Sequence, residues 1–333
     1  MKCCSCLNDF NEHEMEGKGN RYCQQCFEEK SIYMKSRKMT LSSLKALPLE
    51  AKIIKSKIVI EEAVNEFGIE HIYLSYSGGK DSTVLSHIVR QLYPNILHIF
   101  SNTTNEYPET ISHINWEVTN NSMNLAFTKP IDKYGQSWNF KRVVDEHGYP
   151  MFTKRIANAI RTFRRAQTDT TRANSIQYMQ RIFPKYIQYN DCNISDKCCD
   201  KLKKTPLRQL ARKLKMECAI IGTLAEESRQ REVDWLNNGC NIFYKRKDNQ
   251  CRPLSFWTEE DIYAYIKKYD VKISDLYSLG YERNGCMFCG FGIEYESIKG
   301  TNRFERLAIT HPKMHKYLVN NFRDILDQCN IKY

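Results

Sequence analysis

Six residues, Ser77-Gly78-Gly79-Lys80-Asp81-Ser82, separate an apolar run (71–76) from an amphipathic run that continues to Leu92. A strand that enters a helix through such a turn leaves the first helical amides without intrahelical partners. Those amides and the helix dipole make an anion site. Gly78 and Gly79 let the backbone come close to the anion. Lys80 adds charge, and Ser77 and Ser82 add hydroxyl donors. The spacing G-x-x-x-x-G-K-[ST] is absent, so the turn is not the ordinary NTPase loop.

The flanking pattern repeats the theme. Strand-like "NILHIF" (95–100) and "NLAFTKP" (124–130) enclose a helical stretch from Pro108 to Thr119, and "ECAIIGT" (217–223) reads as a late strand. Alternating strands and helices predict a parallel sheet covered by helices. Residues 51–66 read as an amphipathic helix and 27–50 as a polar linker helix carrying Lys35, Arg37 and Lys38. The stretch 151–190 is helix-prone and basic, with Lys154, Arg155, Arg161, Arg164 and Arg165.

Residues 77–82 match the SGGxDS signature of the PP-loop ATP pyrophosphatases. Other segments resemble the branch of that family that contains the phosphoadenosine phosphosulfate (PAPS) reductases. "FSNTTNEYPET" (100–110) is similar to its "DTG…PET" segment, with Asn102 in place of Asp and Thr104 in place of Gly, while Glu109 and Thr110 agree. "IIGTLAEESRQREVDW" (220–235) resembles its "G…ES…R" loop, and residues 253–290 resemble its "W…DI…Y…LY..GY…GC..C" close. The resemblance spans about residues 50 to 300. It implies an α/β PP-loop fold, similar to the adenine nucleotide α-hydrolases, that takes ATP or a sulfonucleotide. Ser77, Gly78, Gly79 and Ser82 would then cradle phosphate or sulfate, and Lys80 and Arg229 would offset its charge. Asp81 would hold magnesium if ATP is bound, Glu227 would line the nucleotide site, and Arg303 and Arg306 would close over the anion.

The chain has fourteen cysteines, and its N-terminus lacks the apolar core of a secretory signal, so metal binding is expected before disulfides. Cys3-x-x-Cys6 and Cys23-x-x-Cys26, sixteen residues apart, have the spacing of a structural Cys4 zinc site. Adjacent Cys198 and Cys199, with Cys286-x-x-Cys289 some 87 residues on, resemble the CC…CxxC set of the adenylylsulfate (APS) reductases. That resemblance implies a 4Fe–4S cluster; a second zinc site is the alternative. Lys203, Pro206 and Leu207 keep that subgroup's register, and Leu202 replaces its Arg. Cys4, Cys192, Cys218, Cys240, Cys251 and Cys329 are left over and are expected mainly to pack.

Sulfonucleotide reductases carry a nucleophilic cysteine in a C-terminal E-C-G-[LI]-H motif. This chain has none, and Cys329 is the one C-terminal cysteine that can be set against the role. Three functions follow: a PAPS/APS reductase-like enzyme of sulfur metabolism, an ATP-dependent adenylating or thiolating enzyme acting on nucleic acid, and a non-catalytic nucleic-acid-binding protein. The net charge of +11 suits an anionic partner in each. A thiol reductant or a sulfur-donor protein is a further expected partner. No run of about 18 apolar residues occurs, so a cytoplasmic protein without a membrane partner is expected. The expected organisation is a zinc finger and linker (1–45), a PP-loop domain (46–255) and a helical C-terminal region (256–333) completing the iron–sulfur site.

Overall fold

The computed structural model describes residues 5–6, 15–16, 22–244 and 248–333. The chain forms two compact units, with parallel strands flanked by helices. One comprises Met1–Ile72, Val84–Pro94 and Cys218–Val271; the other comprises Tyr73–Thr83, Asn95–Glu217 and Lys272–Tyr333. These units interleave along the sequence and do not follow the expected boundaries at 45 and 255.

In the first unit a short antiparallel pair, Met15–Glu16 with Tyr22–Cys23, leads into helix Gln24–Lys45. This helix is more than a linker. Leu41 is buried, and the Arg37 guanidinium lies 4.6 Å from the Trp235 ring centre while its Nε donates to the Leu236 carbonyl at 3.1 Å. Helix Leu49–Phe67 follows Pro48 and stops at Gly68, whose φ of 76° suits glycine. Ile53, Ser56, Ile60, Ala63 and Phe67 recur at helical spacing and form its buried face. Lys52 lies on that side too, buried with its ammonium 2.5 Å from Asp261 of helix Glu259–Tyr269. Strand Cys218–Ile221 pairs in parallel with Asn249–Cys251, which pairs antiparallel with Asn241–Ile242.

In the second unit, strand Leu97–Phe100 lies between the parallel strands Ile72–Tyr76 and Leu125–Phe127. Tyr76 is in register with Phe100. The loops after these two strands, which open at Ser77 and Ser101, therefore leave from one edge, the carboxyl end where open α/β sheets bind ligands. A second, two-stranded parallel sheet joins Met151–Phe152 to Gly290–Phe291. Tyr149, Met151, Ile160, Phe304, Leu318 and Phe322 belong to the large core around it. Helices Lys154–Arg164 and Asp169–Ile182 confirm the helical reading of the basic stretch. The expected helical C-terminus is present as Ile293–Lys299, Arg303–Thr310 and Pro312–Gln328.

Candidate active site

The glycine turn begins one residue after strand Ile72–Tyr76 and ends in the first turn of helix Lys80–Leu92. Gly78 has φ 71°, and a Cβ there would lie 3.0 Å from both Ile114 and Thr110 of helix Pro108–Asn120, so glycine is required twice over. Ser77 and Ser82 face each other, with hydroxyls 3.0 Å apart. The Gly79 amide points at the Ser77 hydroxyl (3.4 Å), and the Lys80 amide donates to the Tyr277 hydroxyl (2.8 Å). Both amides point at protein hydroxyls, which a bound anion would share or replace. Lys80 is itself buried, with its ammonium 3.5 Å from the Glu282 carbonyl and 5.5 Å from the centre of the Tyr277 ring. Asp81 stands in the same helical turn.

Asn284 ties this turn to its surroundings. Its amide donates to the Ser77 carbonyl (3.2 Å), and its Oδ1 accepts from the Thr110 hydroxyl (2.8 Å). Tyr277 is the tyrosine of the "LY..GY" motif, whereas Asn284 is not among the matched positions. Both lie inside the stretch whose resemblance was noted, but only the fold shows that they face the turn.

The loop after Phe100 wraps around Glu106, whose carboxylate accepts from the amides of Thr103 and Asn105 and from the Thr103 hydroxyl at 2.6 Å. Thr104 has φ 61°, a left-handed conformation that favours glycine. Here Asn102 Oδ1 accepts the Thr104 amide at 3.0 Å and supports the conformation. The same loop reaches the cysteines. Thr103 Oγ1 lies 3.7 Å from Cys286 Sγ, and the Met287 and Phe288 amides donate to Asn105.

Cys198 and Cys199 occupy the turn Lys197–Cys199, which passes through a π-helical segment, Asp200–Lys204, into helix Thr205–Lys213. Such widened turns often mark functional sites. The buried Cys198 thiol is pushed well up by desolvation and by the neighbouring Cys286, Cys289 and Cys199. Burial and Cys286 raise Cys289 to about 11, against the pull of Arg303. The fold therefore gathers both cysteine pairs into one electrostatic neighbourhood. The Lys203 ammonium is held in its charged form first by Cys286 and then by Glu106 and Cys199. Burial and neighbouring thiols oppose ionisation of Cys198 and Cys289, a penalty that a cationic centre would reverse. Among the described residues no three of these four sulfurs approach as closely as single-ion ligands do.

Cys6, Cys23 and Cys26 do meet the single-ion condition. Their sulfurs all lie within 4.8 Å of one another, and Cys6 and Cys23 are 4.0 Å apart. Tetrahedral zinc with 2.3 Å Zn–S bonds needs about 3.8 Å. Cys3, the expected fourth ligand, lies outside the described residues, as does Cys4.

The remaining expected residues are placed differently. Glu227 ends the short helix Ala225–Glu227 of the first unit and pairs with Arg231, and Arg229 begins helix Arg229–Asn238. Arg303 is engaged within the protein. Its guanidinium is bound by Glu296 and by the carbonyls of Cys289 and Phe291. Arg306 donates to the Gly280 carbonyl. Cys329 is 3% exposed, and burial and its partner Cys192 push its thiol far up. A nucleophilic thiol needs the opposite environment, accessible and depressed in pKa. The packing expectation suits Cys218 and Cys251, both fully buried, with the Cys218 thiol raised to about 12 by burial.

The profile of the phosphoadenosine phosphosulfate reductase domain matches residues 71–164 and 151–290. An uncharacterised protein of Methanocaldococcus jannaschii is 24% identical over 234 residues, 68% of this chain and 43% of that protein. An adenosine 5'-phosphosulfate reductase of Anoxybacillus flavithermus is 28% identical over 122 residues, 36% of this chain and 49% of the relative. The chain thus spans less than half of the length of these curated relatives. Among solved structures, a PAPS reductase from Candida auris in complex with phosphate aligns at TM-score 0.45 and 15% identity, covering 75% of this chain and 93% of the other. An NH3-dependent NAD synthetase from Campylobacter jejuni aligns at TM-score 0.37 and 11% identity, covering 86% and 99%. Because the domain profile covers well over half of it, the chain belongs to the phosphoadenosine phosphosulfate reductase domain family.

Proposed function

We propose that this protein is an enzyme of sulfur chemistry that binds an adenine nucleotide or sulfonucleotide at residues 77–82 and holds a 4Fe–4S cluster on Cys198, Cys199, Cys286 and Cys289. One observation carries the reading. The segment from Asn284 to Cys289 hydrogen-bonds to the glycine turn at one end and at the other carries the two thiols whose charges act on buried Cys198. Nucleotide and cluster would then share one wall.

The amides of Gly79 and Lys80 and the Ser82 hydroxyl bind the terminal phosphate or sulfate oxygens, and Lys80 neutralises their charge. Asp81 supplies an oxygen ligand for magnesium when ATP is bound. Glu227 and Arg229 are assigned to the nucleotide by their match to the family's "ES…R" loop. A bound cluster would add redox-active, sulfur-binding chemistry beside the nucleotide, tuned by Lys203 and Arg303. The finger cysteines, with Cys3, would hold one zinc.

Two reactions fit this site. Reduction of APS or PAPS needs a thiolate to attack sulfur, and buried Cys329 is unsuited to that step, so the thiol would have to come from a reductant protein. Attack of an acceptor oxygen on the α-phosphorus of ATP, releasing pyrophosphate, needs no such thiol and leaves an adenylated acceptor ready for sulfur from a donor. The environment of Cys329 favours this second reaction. A purely nucleic-acid-binding role is the third reading. Incubation of anaerobically prepared protein with ATP, APS and PAPS separately, assaying pyrophosphate, AMP and sulfite, distinguishes all three. Absence of every product, with and without nucleic acid and a thiol reductant, would refute the enzyme reading.

A further inference from the structure

The chain's charge is not spread evenly. Residues 154–217 contain sixteen lysines and arginines against five aspartates and glutamates, an excess of eleven that equals the net charge of the whole chain. All of this segment lies in the second unit. Its acidic residues are already engaged in part: Asp196 pairs with Arg161, and Asp200 with Lys197 and Lys204. Among the described residues, Lys154, Arg155, Arg164, Arg165, Arg172 and Arg181 have no carboxylate within ion-pair reach, and all six are exposed. Aromatic rings lie between them. The Arg155 guanidinium is 5.3 Å from the Phe183 ring centre and donates to the Tyr178 hydroxyl, and Arg172 is 5.3 Å from Phe163. Unpaired cations alone describe any solvated basic face. Cations alternating with partly exposed rings describe a surface that can meet both phosphates and bases.

From this we infer that helices Lys154–Arg164 and Asp169–Ile182 form a docking surface for a single-stranded nucleic acid. The surface leads toward the cysteines, since Arg161 Nε is 2.8 Å from Asp196 and Arg164 donates to Asn193, both in the segment just before Cys198. An adenylating, sulfur-transferring site would find a polyanionic acceptor here. The inference rests on the proposed function for the purpose of the strand and not for its binding.

The test is fluorescence anisotropy with labelled 20-mer single-stranded RNA, single-stranded DNA and duplex DNA, and with polyglutamate of similar charge, across a salt series. The full chain is compared with a triple variant, Arg164→Gln, Arg165→Gln, Arg172→Gln. None of these residues belongs to the nucleotide or cysteine sites, and an unchanged circular dichroism spectrum and melting temperature certify the variant's fold. Either single strand is expected to bind more tightly than the duplex and polyglutamate, with affinity falling as salt rises. Three lost phosphate contacts should weaken binding at least tenfold and reduce the log–log salt slope by roughly 2, given about 0.7 per contact on single strands. The RNA and DNA arms decide which strand it is. Equal binding of polyglutamate would overturn the inference in favour of an acidic protein, and unchanged binding by the variant would overturn it outright. If the oligonucleotide results hold but no nucleotide turnover is found, the docking surface stands and the proposed function falls.

Discussion

Gly78 and Gly79 are neighbours in sequence but carry different loads, and exchanging each for alanine separates them. At Gly78 the φ of 71° puts alanine in the left-handed region, which costs about 1–2 kcal/mol. The added methyl would also lie 3.0 Å from Ile114 Cγ1 and Thr110 Cγ2, so helix Pro108–Asn120 must give way. At roughly 2–4 °C per kcal/mol for a unit of this size, Gly78→Ala should lower the melting temperature by about 2–8 °C. Gly79 has no such backbone demand. Its methyl would meet Asn284 Cβ and the Tyr277 hydroxyl at 3.3 Å, contacts that small shifts relieve. Gly79→Ala should therefore melt close to the wild type but lose nucleotide affinity, because the methyl stands beside the amides that an anion must reach. One charge-assisted hydrogen bond is worth about 1.5–3 kcal/mol, so a ten- to hundredfold weaker Kd is expected by calorimetry with ATP or a sulfonucleotide. The reasoning fails if Gly79→Ala binds every nucleotide as the wild type does. It fails equally if the two variants lose the same stability.

Anaerobically purified protein should be brown and carry about four irons per chain. Cys198→Ser, Cys199→Ser, Cys286→Ser or Cys289→Ser should each bleach it, whereas Cys240→Ser should not; colourless, iron-free protein prepared without oxygen would sink the cluster. One zinc is expected besides, and Cys23→Ser should remove it while nucleotide affinity persists. If zinc content is the same in that variant, the N-terminal site is wrong. Burial and Lys272 hold the His113 imidazole down at about 4, against the pull of Asp275, while its Nε2 contacts the hydroxyls of Tyr76 and Thr83. The unfolded chain protonates this residue near 6.5, so stability is full above that pH and falls as pH drops toward 4, by about 3 kcal/mol in all. Denaturation of His113→Gln across this window should show a flatter pH dependence; an identical slope would mean the imidazole is not held neutral.

What the sequence disclosed follows from how locally each feature is determined. The strand before the glycine turn and the helix after it rest on a run of apolar residues and a helical stripe a few positions long, and both occur within two residues of where the pattern places them. The basic helices were equally legible. The "LY..GY" motif contains Tyr277 but not its contact, and Asn284 carries no signal at all, until the fold brings both to the turn some 200 residues earlier in the chain. Arg303 misled for a related reason. An arginine near the C-terminus invites assignment as an anion ligand, but this one is held by Glu296 and two carbonyls.

The cysteines show the same division at closer range. Spacing within a pair is local, so each CxxC and the double cysteine can be read directly. Which pair meets which is a property of the core. Gly290 supplies the decisive step: it pairs with Met151 in a two-stranded sheet too short to predict, and a Cβ there would lie 2.7 Å from the Pro150 carbonyl. Absence of a side chain thus lets the strand after Cys289 lie directly against the chain at 150–152. The Tyr149 hydroxyl, buried beside it, donates to the Phe288 carbonyl at 2.6 Å and fixes the CxxC segment from the other side. On this argument Gly290→Val should displace Cys289 and lower iron content without touching a ligand. An iron content equal to the wild type in a folded Gly290→Val protein would show that the small sheet does not position the thiols.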